Sequence, residues 1–382
     1  MSVFDTLQKW QGELPPSTYL SRRAWCEVKY TPKGETEEKD ISEELMKYLL
    51  SVDYTDNMTD QVDDVSLTLE DRAELWANDW YPAPGAKVKI AFFVLGRESV
   101  TDGVETFEVG TYEVDQIELQ GMPTTVEVKA VSAEAESTLR GEKKNRTWEN
   151  ITVKAVAEDI AKQNNLTVAW HCQDNPTLDH TEQSDESDLE FLKKVVKDAG
   201  FCLKIETQRV IIFDEQEQEK GEPAIIFYHP GTKDQQQQDE QQTGGDKKKE
   251  VDSFFSYKIT AKTRDVYSSC HVRYKDGKKG AVIEGTFKAP NRDKGKTLEV
   301  NEQVKDIAEA ERLAKKRLRE KNKEELTANF SLYGDFIYAA GMLVELKNFG
   351  KASGKYIITK VQHAISSGYT CSIDMRRCLD GY

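Results

Sequence analysis

Two well-separated stretches of this sequence carry one skeleton, and that repetition constrains the fold more than any other feature. Gly85-x-x-Val88-x-Ile90 matches Gly341-x-x-Val344-x-Leu346, and Gly110-x-Tyr112-x-Val114-x-x-Ile117 matches Gly354-x-Tyr356-x-Ile358-x-x-Val361. Thr125-x-x-Val128 sits against Thr370-x-x-Ile373, while upstream Asp60, Val65, Leu67 and Asp71 share the spacing of Asp265, Cys270, Val272 and Asp276. Gly110 and Gly354 each open a strand after a turn, and the alternation that follows puts Tyr, Val or Ile on one core face. The competing reading is that any two antiparallel sheets share a glycine followed by alternation. Four blocks in one order favour duplication of a β-domain over that reading.

At 382 residues the chain exceeds the ~250–300 at which a single core stops growing, so two or three domains are expected. From 24 to 131 the apolar residues recur with period two, as in Val65-Ser-Leu67-Thr-Leu69, which predicts half-buried antiparallel strands. A short helix over 41–50 is predicted between the first strands, because Asp40 and Glu43 have a capping-box spacing before Leu45 and Leu49. Between 148 and 214 the period changes. Thr152 can cap a helix bearing Val153, Val156 and Ile160, and Ser187-x-x-Glu190 opens a second with Leu189, Leu192 and Val196, stopped at Gly200. A strand over 166–170 and a hairpin over 201–213, turning near Thr207 and Gln208, complete a small α/β domain. Residues 231–250 hold Gln235 to Gln238, Gly244-Gly245 and Lys247 to Lys249 without an apolar anchor, and are expected to be a disordered loop. Strand-like alternation returns over 255–274 and 343–375, around a helix over 302–323 capped by Asn301.

The charge balance excludes some partners. Fifty-three Lys and Arg against 68 Asp and Glu leave a net charge of −15, which argues against tight binding of phosphate backbones or anionic membranes. No stretch approaches the ~18 apolar residues of a membrane span, and residues 1–11 lack a basic segment followed by an apolar one. A soluble protein made in the cytoplasm is the expectation. The six cysteines, Cys26, Cys172, Cys202, Cys270, Cys371 and Cys378, form no Cys-x-x-Cys pair and read as reduced thiols. Cys270 and His271 are adjacent in a strand and point to opposite faces, so no metal site is assigned. The acidic cluster Asp185, Glu186, Asp188 and Glu190 is explained by helix capping and dipole. Nucleophile-elbow, phosphate-loop and zinc-protease motifs are absent from the sequence. No catalytic residue and no cofactor is assigned.

The C-terminal stretch carries a resemblance. Gly341 to Phe349, then Ser353-Gly354-Lys355-Tyr356, Val361-Gln362-His363, Ser367-Gly368-Tyr369-Thr370 and Arg376-Arg377 together resemble the ending of the phage late control gene D proteins, the baseplate hubs of contractile tails. The runs Ser51 to Tyr54 through Asp63 to Leu67, and Gln183 to Phe191 through Gly200-Phe201, are similar to the same family and to the hub half of type VI secretion spike proteins. The resemblance covers about residue 20 to the end. It implies two related tube-like antiparallel β-barrel domains plus a small α/β domain, an α+β, mainly β chain. The expected organisation is an N-terminal arm over 1–20, a first tube-like domain over 21–135, the α/β domain over 136–230, the loop over 231–250, and a second tube-like domain over 251–382 containing the helix. Gly341, Gly354, Tyr356, His363, Gly368 and Tyr369 are the structural residues of the family motif.

The function implied by the resemblance is structural: a homotrimer whose six domains form a pseudo-sixfold ring between a threefold spike and a sixfold tail tube. Partners implied are a separate spike protein, a tube protein or tube initiator, and other baseplate proteins, with assembly in the bacterial cytoplasm and final residence in the particle's baseplate. The spike is expected to be separate because the chain ends at Tyr382 soon after the second β-domain. The competing functions are a tail-tip cell-wall hydrolase and a carbohydrate-binding tail module. The ring is expected to pass cargo without gripping it, with acidic residues either facing its channel or serving solubility. Phe4, Leu7 and Trp10, with Val3, fall on one side of a possible helix before Pro15-Pro16 and form a candidate partner-docking arm, the competing reading being packing on the chain's own β-domain.

Overall fold

A computed structural model describes residues 23–59, 61–96, 103–132, 139, 141–206, 209–232, 248–275, 282–290, 292 and 294–382. The protein is mainly β with few helices. Among the described residues no sheet closes on itself, so the barrels implied by the resemblance are open sheets in this structure. Two compact units divide the chain. One holds the residues up to Phe213 with Tyr333–Tyr338 and Val361–Ser372; the other holds Asp214–Leu332, Ala339–Lys360 and Ile373–Tyr382. The N-terminal arm, the turn at Thr207 and Gln208, and most of the glutamine-rich loop lie outside the described residues.

In the first unit the strands run in the order Leu49–Asn57, Asp64–Glu70, Thr125–Ser132, Val104–Gln120, Lys87–Leu95, Arg23–Thr31 and Lys39–Asp40. Period-two alternation puts Val65, Leu67, Leu69, Val88, Ile90, Val126 and Val128 on the covered face, all buried. The predicted helix over 41–50 is only Ser42–Leu45, since the β-propensity of the residues from Leu49 onward carries them into a strand. Its start is held by Asp40, whose Oδ1 accepts from the Ser42 backbone N–H at 2.9 Å.

The same unit contains a lobe with its own core of Leu139, Val156, Ile160, Leu192, Val196 and Ile212. Helix Val153–Gln163 is capped by Thr152, and helix Asp188–Ala199 by a full Ser187–Glu190 capping box, ending at Gly200 with φ +94°. Strand Arg209–Phe213 lies between antiparallel Cys202–Glu206 and parallel Thr167–His171. A further ribbon pairs Lys143–Thr152 with Thr177–Ser187. Its residues are largely polar and exposed, so hydrophobic alternation gives no sign of it. Buried Asp188 ties the ribbon to the helices. It accepts from Lys144 Nζ at 2.7 Å, from Asn164 and Gln183 amides at 3.0 Å each, and from Arg146. Asp188 and Glu190, read from the sequence as dipole and capping residues, thus also hold an ion pair and a cap.

In the second unit the order is Ser256–Ala261, Leu326–Tyr333, Tyr369–Arg377, Gly354–Ile365, Leu343–Lys347, Ile225–Tyr228 and Lys249–Val251. The tip of the Gly354–Ile365 and Tyr369–Arg377 pair, Val361–Ser372, counts with the first unit. Strand Ile225–Tyr228, placed by sequence at the end of the α/β domain, pairs here with Leu343–Lys347, because all four of its residues are buried and need cover on both faces. Helix Glu215–Glu219 sets two buried carboxylates against two buried guanidinium groups. Arg319 Nη2 donates to Glu219 at 2.7 Å, Arg376 Nη2 lies 2.6 Å from Glu215, and the Leu379 N–H donates to Glu219 at 3.1 Å. Burial alone would raise the Glu215 carboxyl, but Arg376, Lys323 and Arg319 hold it below the ordinary carboxylate range.

Two sets of strands share a five-strand core with one connectivity. Leu49–Asn57, Asp64–Glu70, Lys87–Leu95, Val104–Gln120 and Thr125–Ser132 are matched in chain order and in sheet order by Ser256–Ala261, Leu326–Tyr333, Leu343–Lys347, Gly354–Ile365 and Tyr369–Arg377. The registers agree: Val88 faces Tyr112 and Ile90 faces Gly110, as Val344 faces Tyr356 and Leu346 faces Gly354. Gly85 donates to the Val114 carbonyl and Gly341 to the Ile358 carbonyl, both at 2.8 Å. All four glycines have positive φ: +84° and +126° in the first hairpin, +88° and +136° in the second. The sixth strand differs, being antiparallel for Arg23–Thr31 and parallel for Ile225–Tyr228.

One block of the sequence repeat is corrected. Strand Tyr267–Lys275, which carries Cys270 and Val272, does not correspond to Asp64–Glu70. It lies in a separate sheet between Val282–Lys288 and Lys296–Val300. Helix Ile307–Asn322 covers that sheet, with a core of Cys270, Val272, Ala310, Ala314 and Leu318. The helix begins later than predicted because Asp306, not Asn301, accepts from the Glu309 N–H at 2.8 Å. The four residues share spacing only because any half-buried strand alternates.

Two outcomes follow from this packing. Gly354→Ala should destabilise by more than about 1 kcal/mol, since its φ is +136° and a Cβ would stand 3.1 Å from Arg377 Nη2, whereas Gly368→Ala, with open space around it, should be near neutral. Thermal unfolding of the two variants measures the contrast. Arg376→Met should cost about 3–5 kcal/mol in urea unfolding, because it leaves two buried carboxylates to Arg319.

Candidate functional site

The family-motif residues fall into two groups. Gly341, Gly354 and Tyr356 build the second unit's hairpin, where Tyr356 is fully buried and its hydroxyl donates to the Ala352 carbonyl at 2.7 Å. Gln218 Nε2 donates to the Gly341 carbonyl at 3.0 Å. His363 and Tyr369 meet in the first unit, on either side of the turn that contains Gly368. Phe4, Leu7 and Trp10 lie outside the described residues.

Buried His363 is the centre of an aromatic cluster. Tyr54 stacks on it at 5.7 Å and 17°, Phe107 lies 5.8 Å away, and Phe336 stacks on Phe107 at 5.1 Å. The ring nitrogens are both engaged: Nε2 is 3.2 Å from the Tyr338 carbonyl, and Nδ1 is 2.7 Å from Tyr369 Oη and 3.2 Å from Cys371 Sγ. A carbonyl only accepts, so Nε2 carries the hydrogen and Nδ1 accepts from the hydroxyl. Protonating Nδ1 would discard that bond inside an apolar shell. Burial accordingly pulls the imidazole down to about 4. Gly334 completes the site by having no side chain, since a Cβ there would stand 2.2 Å from the Tyr369 ring.

A thiol 3.2 Å from an imidazole has the composition of a nucleophile and its base, but the protonation preferences run the other way. Burial pushes the Cys371 thiol up to about 12 and the imidazole down to about 4, so both groups stay neutral near pH 7. The cluster packs and hydrogen-bonds. Among the described residues no group of three or more His, Cys, Asp or Glu could hold a metal ion, and no helix is long and apolar enough to cross a membrane. Cys270 is buried, while His271 turns the other way to Glu299 at 3.0 Å.

Residues 113–369 match the phage tail baseplate hub (GPD) family. The chain belongs to that family. A probable baseplate hub protein of Escherichia phage 186 is 28% identical over 178 residues, which cover 45% of this chain and 42% of that protein. The match therefore spans less than half of the relative's length. Among solved structures, a tail protein from Neisseria meningitidis MC58 has the same fold at 13% identity, with a TM-score of 0.63 over 94% of this chain and 97% of that one. The Francisella PdpA–VgrG complex gives 0.54 at 7% identity, over 98% of this chain and 60% of that one. The hub family is one of structural proteins, and this chain is a phage tail baseplate component.

Sequence reasoning found His363 and Tyr369 through the family motif but not their surroundings. Tyr54 and Phe107 sit in strands whose alternation marks them as core without naming partners. Gly334, Phe336 and Tyr338 lie in a loop with no period to read. The tryptophans, dispersed in sequence, are partly gathered: Trp76 and Trp80 approach to 5.4 Å, with Tyr48 beside both.

The His363 environment makes a signed expectation for the hub. Its folded-state value of about 4 lies below the ~6.5 of a free imidazole, so the unfolded chain binds the extra proton first. The contribution is complete above pH 6.5 and falls away as pH drops toward 4, a loss on the order of 3 kcal/mol. Urea unfolding from pH 7 to 4 should show that slope in the native protein and a shallower one in His363→Gln.

Proposed function

We propose that this hub protein forms a homotrimer whose six β-units make a pseudo-sixfold ring joining a threefold spike to a sixfold tail tube. The observation that carries the reading is the shared five-strand core, with one connectivity and one hairpin register in both copies. Three chains with two like units present six near-equivalent surfaces, which resolves a threefold-to-sixfold mismatch inside one polypeptide. The ring contact is then heterologous, closing after three chains.

In this reading each open core is one segment of a tube-like wall. Edges such as Ser256–Ala261, paired on one side by Leu326–Tyr333, are covered in the assembly, as exposed edges generally must be. The small α/β domain and the sheet-and-helix insertion after the first strand of the second core are decorations on that wall. The spike is a separate partner; the Francisella neighbour, a complex of a VgrG with PdpA, supports a hub that works with other chains. Tube protein and other baseplate proteins complete the contacts, first in the bacterial cytoplasm and then in the particle. The net charge of −15 suits a channel that passes cargo without holding phosphate backbones.

Light scattering on the purified protein, alone and with its spike, should give three copies of this chain at least in the complex. A strict monomer under both conditions would remove the ring.

A further inference from the structure

One edge strand of the repeated core is covered, and its counterpart is bare. In the first unit Leu49–Asn57 lies beside Gly354–Ile365, whose tip, Val361–Ser372, belongs to that unit. Gln362 Nε2 donates to Asp53 Oδ1 at 3.2 Å, and the Tyr54 ring stacks on His363. The contact buries both rings, leaving Tyr54 8% and His363 1% exposed. The counterpart of Leu49–Asn57 is Ser256–Ala261, which among the described residues pairs with Leu326–Tyr333 alone. The counterpart of the covering tip is the end of Val104–Gln120, where Leu119 is 54% exposed.

The repeat fixes which residues correspond. Tyr112 matches Tyr356 and Ile117 matches Val361, so Glu118 stands for Gln362 and Leu119 for His363. The Asp71 N–H donates to the Thr124 carbonyl as the Gly334 N–H donates to the Tyr369 carbonyl, which aligns Val65 with Ala328 and Ser66 with Asn329. Ser66 faces Asp53 and Val65 faces Tyr54, while Asn329 faces Lys258 and Ala328 faces Ile259. Lys258 therefore stands for Asp53 and Ile259 for Tyr54. Both halves of the contact have changed in step. The amide on a carboxylate, Gln362 with Asp53, becomes a carboxylate and an ammonium, Glu118 with Lys258; the stacked rings become two aliphatic side chains, Leu119 with Ile259. Opposite charges and apolar pairs are what adjacent strands favour.

We propose that residues 116–120 of one chain lie along Ser256–Ala261 of a second copy, with Leu119 on Ile259 and Glu118 beside Lys258. The contact rests on the ring reading and says which surfaces close it: a heterologous, head-to-tail joint that repeats inside the trimer what the first unit already makes within one chain. The bare edge gains a strand, and its main-chain groups gain partners. Lys258 is exposed, and Glu118 is half-buried with Lys129 3.0 Å away. Its carboxylate then lies between two ammonium groups.

Photo-crosslinking reads the contact directly. The full chain carrying Leu119→p-benzoylphenylalanine, as a mixture of isotope-labelled and unlabelled copies, is irradiated alone and with its spike, then mapped by peptide mass spectrometry. Adducts on residues 256–261 that join a labelled to an unlabelled chain are expected. Adducts within single chains only, on other residues, on the spike, or none at all would each overturn the contact. Light scattering on the same samples separates the two readings. Three copies with adducts elsewhere would remove this contact and leave the ring, whereas one copy in both samples would remove both. Exchange of charge gives a second measurement. Glu118→Lys and Lys258→Glu should each weaken association at least about tenfold, since like charges then meet at all three joints, and the combined variant should return to within about threefold of the native chain. A combined variant no better than the single ones would contradict the pairing.

Discussion

The ladder between Lys87–Leu95 and Val104–Gln120, and its counterpart between Leu343–Lys347 and Gly354–Ile365, fix which side chains lie inside each sheet. A slip of one residue would turn every core side chain outward. Glycine at positive φ pins the register: at Gly110 and Gly354 the backbone takes a conformation that a side chain resists, and Tyr112 and Tyr356, two residues on, are both buried. With that register set, the alternating Val and Ile positions build the core, and the neighbouring strands have only one face to cover.

Charge is used inside the molecule as well as on its surface. Asp188 in the first unit, and Glu215 and Glu219 in the second, are buried and each is met by Arg or Lys. Replacing a buried ion pair by apolar groups is often neutral, so such pairs are better understood as fixing geometry than as supplying stability. Arg376, at the end of the last long strand, joins that strand to a helix from the middle of the chain. The buried imidazole of His363 does the same with hydrogen bonds, holding Tyr369, Cys371 and the 335–338 loop at one point.

Local pattern made much of this legible. The capping box at Ser187 and Glu190, the stop at Gly200, the cap at Thr152 and the alternation of Lys87–Leu95 are read from neighbours in the sequence and are found in place. What local pattern does not encode is which strand lies beside which. Tyr267–Lys275 alternates like Asp64–Glu70 yet belongs to an insertion with its own helix, whereas Leu326–Tyr333 holds the equivalent place. The ribbon of Lys143–Thr152 and Thr177–Ser187 is invisible to hydrophobic period because both faces are polar. The His363 cluster was half legible, through its motif residues, and its ring partners come from distant strands and a loop without period.

A baseplate hub built from one repeated core has a direct signature in projection. Averaged electron micrographs of the assembled protein, viewed down the axis, should show a ring of six lobes related by threefold symmetry, alternate lobes differing by the α/β domain of one unit and the sheet-and-helix insertion of the other. A ring with true sixfold symmetry from six chains, or a particle without rotational symmetry, would contradict the placing of two like units in each of three subunits.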